Sequence, residues 1–322
     1  MEKRPNTAVQ RAAAFAPATV ANVAVGYDIL GFSLEAAGDT VVLERSSHPG
    51  LEIVEISGLE RDLPKDPRKN VAGFVVRNFL EKNPLPFGLK IWINKGIPLS
   101  SGMGGSAASA SAALWALSSF YLEEIRPEEL LPYALEGERL ATGDAHGDNV
   151  TPCLFGGLTL LRSLDGAEVV QLPFPEEIRV MLIHPHLRLD TRDGRAALGD
   201  SVPIKVCVEQ SGNLAGFLAG CFSKDLTLIG SCLRDVMVEP KRAPLVPGFA
   251  EVKQAALSGE GVLGFSLAGS GPSVFAWCQG EEAAEAAKER VRDVWRRRGV
   301  DSEGWVSRIG TRGARIIKVE EE

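Results

Sequence analysis

The segment Pro98-Leu-Ser-Ser-Gly-Met-Gly-Gly-Ser-Ala-Ala108 has the residue types of a phosphate cradle. Glycines at 102, 104 and 105 leave backbone N–H groups bare, so an anion can approach them closely. The Ala-rich run that follows, to Phe120, reads as a helix, and its N-terminus adds a dipole and unpaired amides. Ser100, Ser101 and Ser106 supply hydroxyls for phosphate oxygens or, for one of them, for Mg²⁺. A tight turn into a small-residue helix would use the same residues, so the segment alone leaves both readings open. No G-x-x-x-x-G-K-[ST] string occurs, which excludes a Walker A loop. Gly102-x-Gly104-x-x-Ala107 satisfies the dinucleotide pattern G-x-G-x-x-A, but its strand ends too early and helix follows helix.

Three further segments carry groups that phosphoryl transfer requires: Ala16 to Asp28, Glu138 with His146-Gly-Asp-Asn149, and Ala268-Gly-Ser-Gly-Pro-Ser273. Taken singly they are bland. Glu138 would be a solvated helical acid, His146 a hydrogen-bonded loop histidine, and Ala268 to Pro272 a hairpin turn. Arg195 and Arg242 would be surface arginines, and His184-Pro-His186 lacks a third ligand nearby, so it reads as a strand end with no zinc. Together with the cradle they describe a site.

The elements that must position these groups follow from periodicity. Ala13 to Pro17, Val41 to Arg45 and Leu51 to Ile56 read as strands, and Asn70 to Asn83 carries apolar residues at helical spacing. Leu89 to Ile93 is a strand before the cradle. Pro127 opens a helix to about Thr142, with Glu128 and Glu129 at its positive end, and residues 143–149 form a loop. Strands at Leu158 to Leu161 and Arg179 to Ile183 precede helices from Thr191 onward and late strands around Phe265, Val274 and Ile316. A soft boundary falls near 175 to 190. This order favours an α+β layer architecture over a doubly wound parallel sheet.

Composition bounds the partners. The chain has 322 residues, 45% hydrophobic and 24% charged, with a net charge of -7 spread along its length, so nucleic acid is not expected. Arg296-Arg-Arg298 fits the C-terminal end of a helix. Five cysteines, widely spaced and without a C-x-x-C pair, read as reduced thiols of a cytoplasmic protein. The polar start lacks a secretory signal, and Gly96 to Leu122, though uncharged, is too rich in Pro, Gly and Ser to face lipid, so no membrane is expected.

At the four segments the sequence resembles the superfamily of galactokinase, homoserine kinase, mevalonate kinase and phosphomevalonate kinase (GHMP kinases), most closely its homoserine kinase branch, from about residue 14 to 317. The cradle resembles P-x-x-x-G-L-G-S-S-A, and the first segment resembles P-A-T-x-A-N-x-G-x-G-F-D. His146-x-Asp-Asn-Val-x-Pro and Glu239-Pro-Lys-Arg-Ala-Pro-Leu-Val-Pro-Gly point to the homoserine kinase branch. The resemblance implies a domain like the second domain of ribosomal protein S5 over 1–182, a ferredoxin-like domain over 183–322, a site in the cleft between them, and a homodimer. It implies ATP-dependent phosphorylation of the side-chain hydroxyl of L-homoserine, feeding threonine synthesis. Asn70, Lys95, Gly96, Ile97, Pro98, Leu99, Ser100, Ser101, Gly102, Met103, Gly104, Gly105 and Ser106 would then hold the nucleotide, with Ser106 and Glu138 reaching Mg²⁺. Asn22, Asp28, His146, Asp148, Thr191, Arg195, Arg242 and Gly271 would surround homoserine, and Glu138, Asn149 and Ser106 would serve catalysis.

The chemistry of that assignment is coherent. An amino-acid substrate needs a carboxylate for its ammonium and a guanidinium for its carboxylate, which Asp28, Asp148, Arg195 and Arg242 would supply. Asn149 stands where mevalonate kinase-like members carry an aspartate, so the expected mechanism has no protein general base. The sequence departs from the pattern at Gly105 for serine, Met103 for leucine and Tyr27 for phenylalanine, with Ala24 and Val25 for a glycine-proline pair. Of these, Gly105 removes a potential phosphate hydroxyl. Two other readings stay open: another small alcohol as acceptor, such as mevalonate or shikimate, and a nucleotide-binding regulator without turnover.

Overall fold

Alanines 12, 14 and 16 alternate into the core along β1 (Val9–Ala21), where their small side chains admit a helix close against the sheet. The computed structural model describes residues 3–163, 168–189, 191–199 and 201–321, with Thr191 and Arg192 described as backbone only. After β1 come β2 (Leu30–Ser46), β3 (Leu51–Gly58), α1 (Val71–Lys82), β4 (Gly88–Lys95), α2 (Gly105–Ser118), α3 (Pro127–Thr142), α4 (Gly147–Phe155), β5 (Leu158–Ser163), β6 (Glu168–Leu172) and β7 (Ile178–Pro185). Then follow α5 (Thr191–Ala196), α6 (Ile204–Ser223), α7 (Leu226–Cys232), α8 (Glu239–Arg242), α9 (Phe249–Leu257), β8 (Val262–Leu267), β9 (Val274–Gln279), α10 (Glu281–Arg297), β10 (Ser302–Ser307) and β11 (Arg315–Glu321).

Two sheets organise these elements, giving the expected α+β class. The larger runs β11-β1-β2-β4-β3, with β5 against the start of β2 and β6 beyond it. The smaller, antiparallel throughout, runs β10-β7-β9-β8. Counted within its own segment that is the order 4-1-3-2 of a ferredoxin-like unit, with β7 first and α10 packed on the sheet. The sheets change over at β7, and the division placed at 182/183 falls inside that strand, while β11 returns to the first sheet and pairs with β1. We retain that division as a proposal about folding units.

Helix α2 is buried on nearly every side, from Ala107 to Leu117, which is why it shows no amphipathic stripe. Its alanines and serines let it sit between the first sheet and α1, α3 and α4, which hold its half-buried N-terminus in place. Residues 143–149, expected as a loop, are loop only to His146, and Gly147 begins α4. Gly147, Asp148, Asn149 and Pro152 are poor helix formers, and here burial of Val150, Cys153 and Leu154 overrides propensity. All five cysteines are unpaired. Among the described residues no helix is long and apolar enough to cross a membrane.

Candidate active site

A cavity of about 280 Å³ opens where the two sheets meet. Its wall includes Asn22, Asp28, Asn70, Lys95, Ile97 to Gly102, Gly104 to Ser106, Glu138, His146, Asp148, Asn149, Arg195 and Arg242. Most of the residues singled out in the sequence therefore converge. Gly96, Met103 and Gly271 stand off the wall: Met103 is in the core, and Gly269 and Ser270 line the cavity where Gly271 was expected. The side chain of Thr191 lies outside the described residues.

The cradle is shaped by its backbone. Gly104 caps α2 at φ 72°, and a Cβ there would collide with the Thr19 hydroxyl and lie 2.9 Å from Asn149 Oδ1. The turn is fixed across the fold by Thr19 N–H donating to the Met103 carbonyl at 3.1 Å and Ser273 N–H donating to the Ser101 carbonyl at 3.2 Å. Lys95 is buried, and its ammonium bonds Asp39, the Gly105 carbonyl at 3.0 Å and Ser109 Oγ at 2.8 Å. Asn70 caps α1, accepting from Ala72 N–H at 3.1 Å and donating to the Pro64 carbonyl at 3.0 Å. It thus orders the Leu63-Pro64 wall of the cavity.

At the head of α2, Ser106 Oγ donates to Glu138 Oε2 at 2.8 Å. Glu138 is 5% exposed, and burial pushes its carboxyl up to about 7, against the bond from Ser106. A buried carboxylate beside a hydroxyl fits a hard divalent cation, which would remove the cost of ionising Glu138 there. Asn149, in the first turn of α4, lines the cavity and accepts from Thr19 Oγ1 at 2.7 Å through its amide oxygen. Burial raises the neighbouring Asp148 to about 8, helped by the negative charges of Asp28 and Glu138.

The opposite wall is charged and interlocked. Arg195 Nη2 donates to both oxygens of Asp28 at 3.1 Å and to His146 Nδ1 at 3.2 Å. Burial holds His146 below its ordinary value, so its ring is neutral and accepts. Among the described residues Arg195 Nε is a buried donor without a hydrogen-bond partner. Arg242, 3% exposed, donates from Nε to the Gly194 carbonyl at 3.0 Å and from Nη1 to the Gly269 carbonyl at 3.2 Å. Both guanidiniums lie over the Tyr27 ring, at 5.8 and 5.3 Å. Asn22 ties the wall together, accepting from Asp28 N–H at 3.0 Å and donating to the Gly269 carbonyl at 3.0 Å.

Asn22, Val23 and Ala24 all have positive φ, at 69°, 47° and 57°, a costly run for side-chain-bearing residues and especially for a β-branched one. Gln210 of α6 holds it, donating to the Ala24 and Val25 carbonyls at 3.3 and 3.0 Å. Sequence reasoning missed Asp39, Thr19, Gln210 and the aromatic base that Tyr27 gives the arginines. Asp39 had left a signal: two residues before Val41 and four before Leu43, it puts an acid on the core face of a strand.

A glycine-rich cradle at a half-buried helix start, between an S5-like and a ferredoxin-like unit, defines a GHMP kinase, an ATP-dependent phosphotransferase acting on a hydroxyl. Residues 70–157 match the GHMP kinases N terminal domain and residues 217–297 the GHMP kinases C terminal domain. The homoserine kinase of Xylella fastidiosa (strain 9a5c) is 46% identical over 310 residues, covering 96% of this chain and 95% of that one. That of Chlorobium phaeovibrioides is 45% identical over 315 residues, 94% of this chain and 98% of its own. The crystal structure of homoserine kinase from Cytophaga hutchinsonii superposes with a TM-score of 0.92 at 41% identity, covering 96% of this chain and 98% of that chain. The chain belongs to the homoserine kinase family of the GHMP kinases.

Proposed function

We propose that the protein transfers the γ-phosphoryl group of ATP to the side-chain hydroxyl of L-homoserine, giving O-phospho-L-homoserine for threonine synthesis in the cytoplasm. The observation that carries this reading is the acceptor wall: Asp28 and Asp148 beside Arg195 and Arg242, with Arg195 Nε buried and unpaired among the described residues. This set matches a zwitterion, whose ammonium takes the carboxylates and whose carboxylate takes the guanidiniums. Burial raises Asp148 to about 8, and a substrate ammonium beside it would favour its ionised form, an interaction that an acceptor without an ammonium cannot make.

The cradle amides and Ser106 hold the phosphates, with Asn70 bordering the base and ribose. Mg²⁺, held by Glu138 and Ser106, supplies charge neutralisation at the phosphate oxygens when bound. Asn149 orients the acceptor hydroxyl through its NH₂ group, since its oxygen is engaged by Thr19. An amide cannot accept the hydroxyl proton, so the proton leaves to phosphate or solvent. The site then works by positioning and fixed dipoles. A homodimer, as the resemblance implies, belongs to the same proposal.

The deciding experiment is ADP release with ATP and Mg²⁺ against L-homoserine, mevalonate, shikimate and galactose. Turnover with L-homoserine alone is expected. Turnover only with an acceptor that lacks an ammonium overturns the assignment, and binding of ATP without any turnover favours a regulator.

A further inference from the structure

Asp39 lies in the middle of β2, fully buried, where the flanking inward positions are Val41 and Leu43. Its carboxylate accepts from the Lys95 ammonium, from Ser109 Oγ at 2.6 Å, from Gly96 N–H at 3.0 Å and from Ile97 N–H at 3.3 Å. The approach depends on Gly96, because a Cβ there would run into the Gly38 carbonyl. One side chain thus binds the strand end leading into the cradle, at Gly96 and Ile97, and the first turns of the helix leaving it, at Ser109 directly and at Gly105 through Lys95.

Lys95 lines the cavity, which suggests a phosphate ligand. Its hydrogen bonds argue otherwise. An ammonium has three donors. Those of Lys95 meet Asp39, the Gly105 carbonyl and Ser109 Oγ, all on the cradle's inner side.

We propose that Asp39 is a positioning residue for phosphoryl transfer, fixing both ends of the phosphate cradle, and that Lys95 belongs to this clamp and is not a phosphate ligand. The inference rests on the nucleotide reading of the cradle given above. Its consequence is that the cradle is set before nucleotide arrives, its amides already aimed.

The test measures Mg-ATP affinity by calorimetry, with KM for ATP and for L-homoserine, in the wild type, Asp39→Asn, Lys95→Met and the double variant. Each single change strands a buried charge beside the cradle, and ATP affinity falls about 20-fold or more while the L-homoserine KM stays within about threefold. In the double variant the amide oxygen still accepts from Gly96 and Ile97 and no charge is stranded, so ATP affinity returns to within about fivefold of wild type. A double variant as weak as Lys95→Met makes Lys95 a phosphate ligand and overturns the proposal, as does unchanged affinity in Asp39→Asn. Should Asp39→Asn fail to fold, Ser109→Ala cuts one tie and keeps the ion pair, with a loss of about fivefold expected and no loss again overturning it. Failure of the wild type to bind Mg-ATP is a different result, which removes the nucleotide reading itself.

Discussion

Along the cradle wall Lys95 is paired with Asp39 and tied to Ser109 and the Gly105 carbonyl, so its ammonium is spent within the wall, and the glycines at 102, 104 and 105 and the Ser106 side chain border the cavity. Across the cleft the charged side chains Asp28, Asp148, Arg195 and Arg242 all reach the cavity, with Arg195 bonded to Asp28 and His146 and Arg242 to backbone carbonyls. The two walls meet different demands. Negative charge spreads over phosphoryl oxygens only as transfer proceeds, and fixed neutral dipoles meet it without reorganising. An amino acid carries full charges from the start, and formal countercharges select it. In the proposed mechanism one wall acts on the transition state, the other on the identity of the substrate.

That contrast can be broken most directly at Asp148. Asp148→Asn should lower kcat/KM for L-homoserine about 100-fold or more, the scale of losing one partner of a buried charge pair, with the ATP KM unchanged. Steady-state kinetics with each substrate varied in turn would show it, and equal damage to both KM values would mean the walls are not separable. Next is Asn149→Asp, which sets a negative charge against the phosphates and should cut kcat about tenfold. A hundredfold rise with a carboxylate-like limb in the pH profile would instead restore a protein base and sink the base-free reading.

Acidity offers a third probe. Asp148 and Glu138 are raised from 3.8 and 4.5 to about 8 and about 7, chiefly by burial. Such groups bind protons more tightly in the folded state, so protonation favours folding: the contribution is full below the unfolded values and is lost as pH rises through 7 and 8. The ligand-free protein should melt higher at pH 6 than at pH 9, by on the order of 5 °C, and Asp148→Asn should flatten that slope. Scanning calorimetry across this window checks the sign. The smallest effect is expected at Gly105, where an added Cβ makes ordinary contacts with Ile97 Cγ2 at 3.4 Å and Lys95 Nζ at 3.6 Å. Gly105→Ser should lower the ATP KM about twofold and leave kcat alone, since the amides do most of the holding.

How much of this was legible in sequence follows the same divide between local and distant causes. Helices α1, α2 and α3 carry their own signals in periodicity, alanine content and Pro127, and the strands of the first sheet in their apolar runs, except β6 (Glu168–Leu172), which was not expected and forms by pairing with β5. Helix α4 was unreadable because Gly147, Asp148, Asn149 and Pro152 all argue against it, and only burial decides. Strand β10, Ser-Glu-Gly-Trp-Val-Ser, lacks alternation and exists by pairing with β7. In the site, charges carried by motifs were visible, while Asp39 and Gln210 act through backbone brought near by the fold. A strand was expected around Ile316, but its pairing with β1 could not be read from so far along the chain.

That last pairing has a kinetic side. During synthesis β1 emerges first and its neighbour on one flank nearly last, so at ~5–20 residues per second the edge of β1 stays open for on the order of 15 to 60 seconds. An open strand of small and apolar residues is a template for wrong partners. When β11 arrives it brings Arg315, Lys318, Glu320 and Glu321 to the new rim of the sheet. The closing strand is therefore also a selvedge, whose charges disfavour growth of the sheet into a neighbouring molecule although Ile317 and Val319 remain exposed between them.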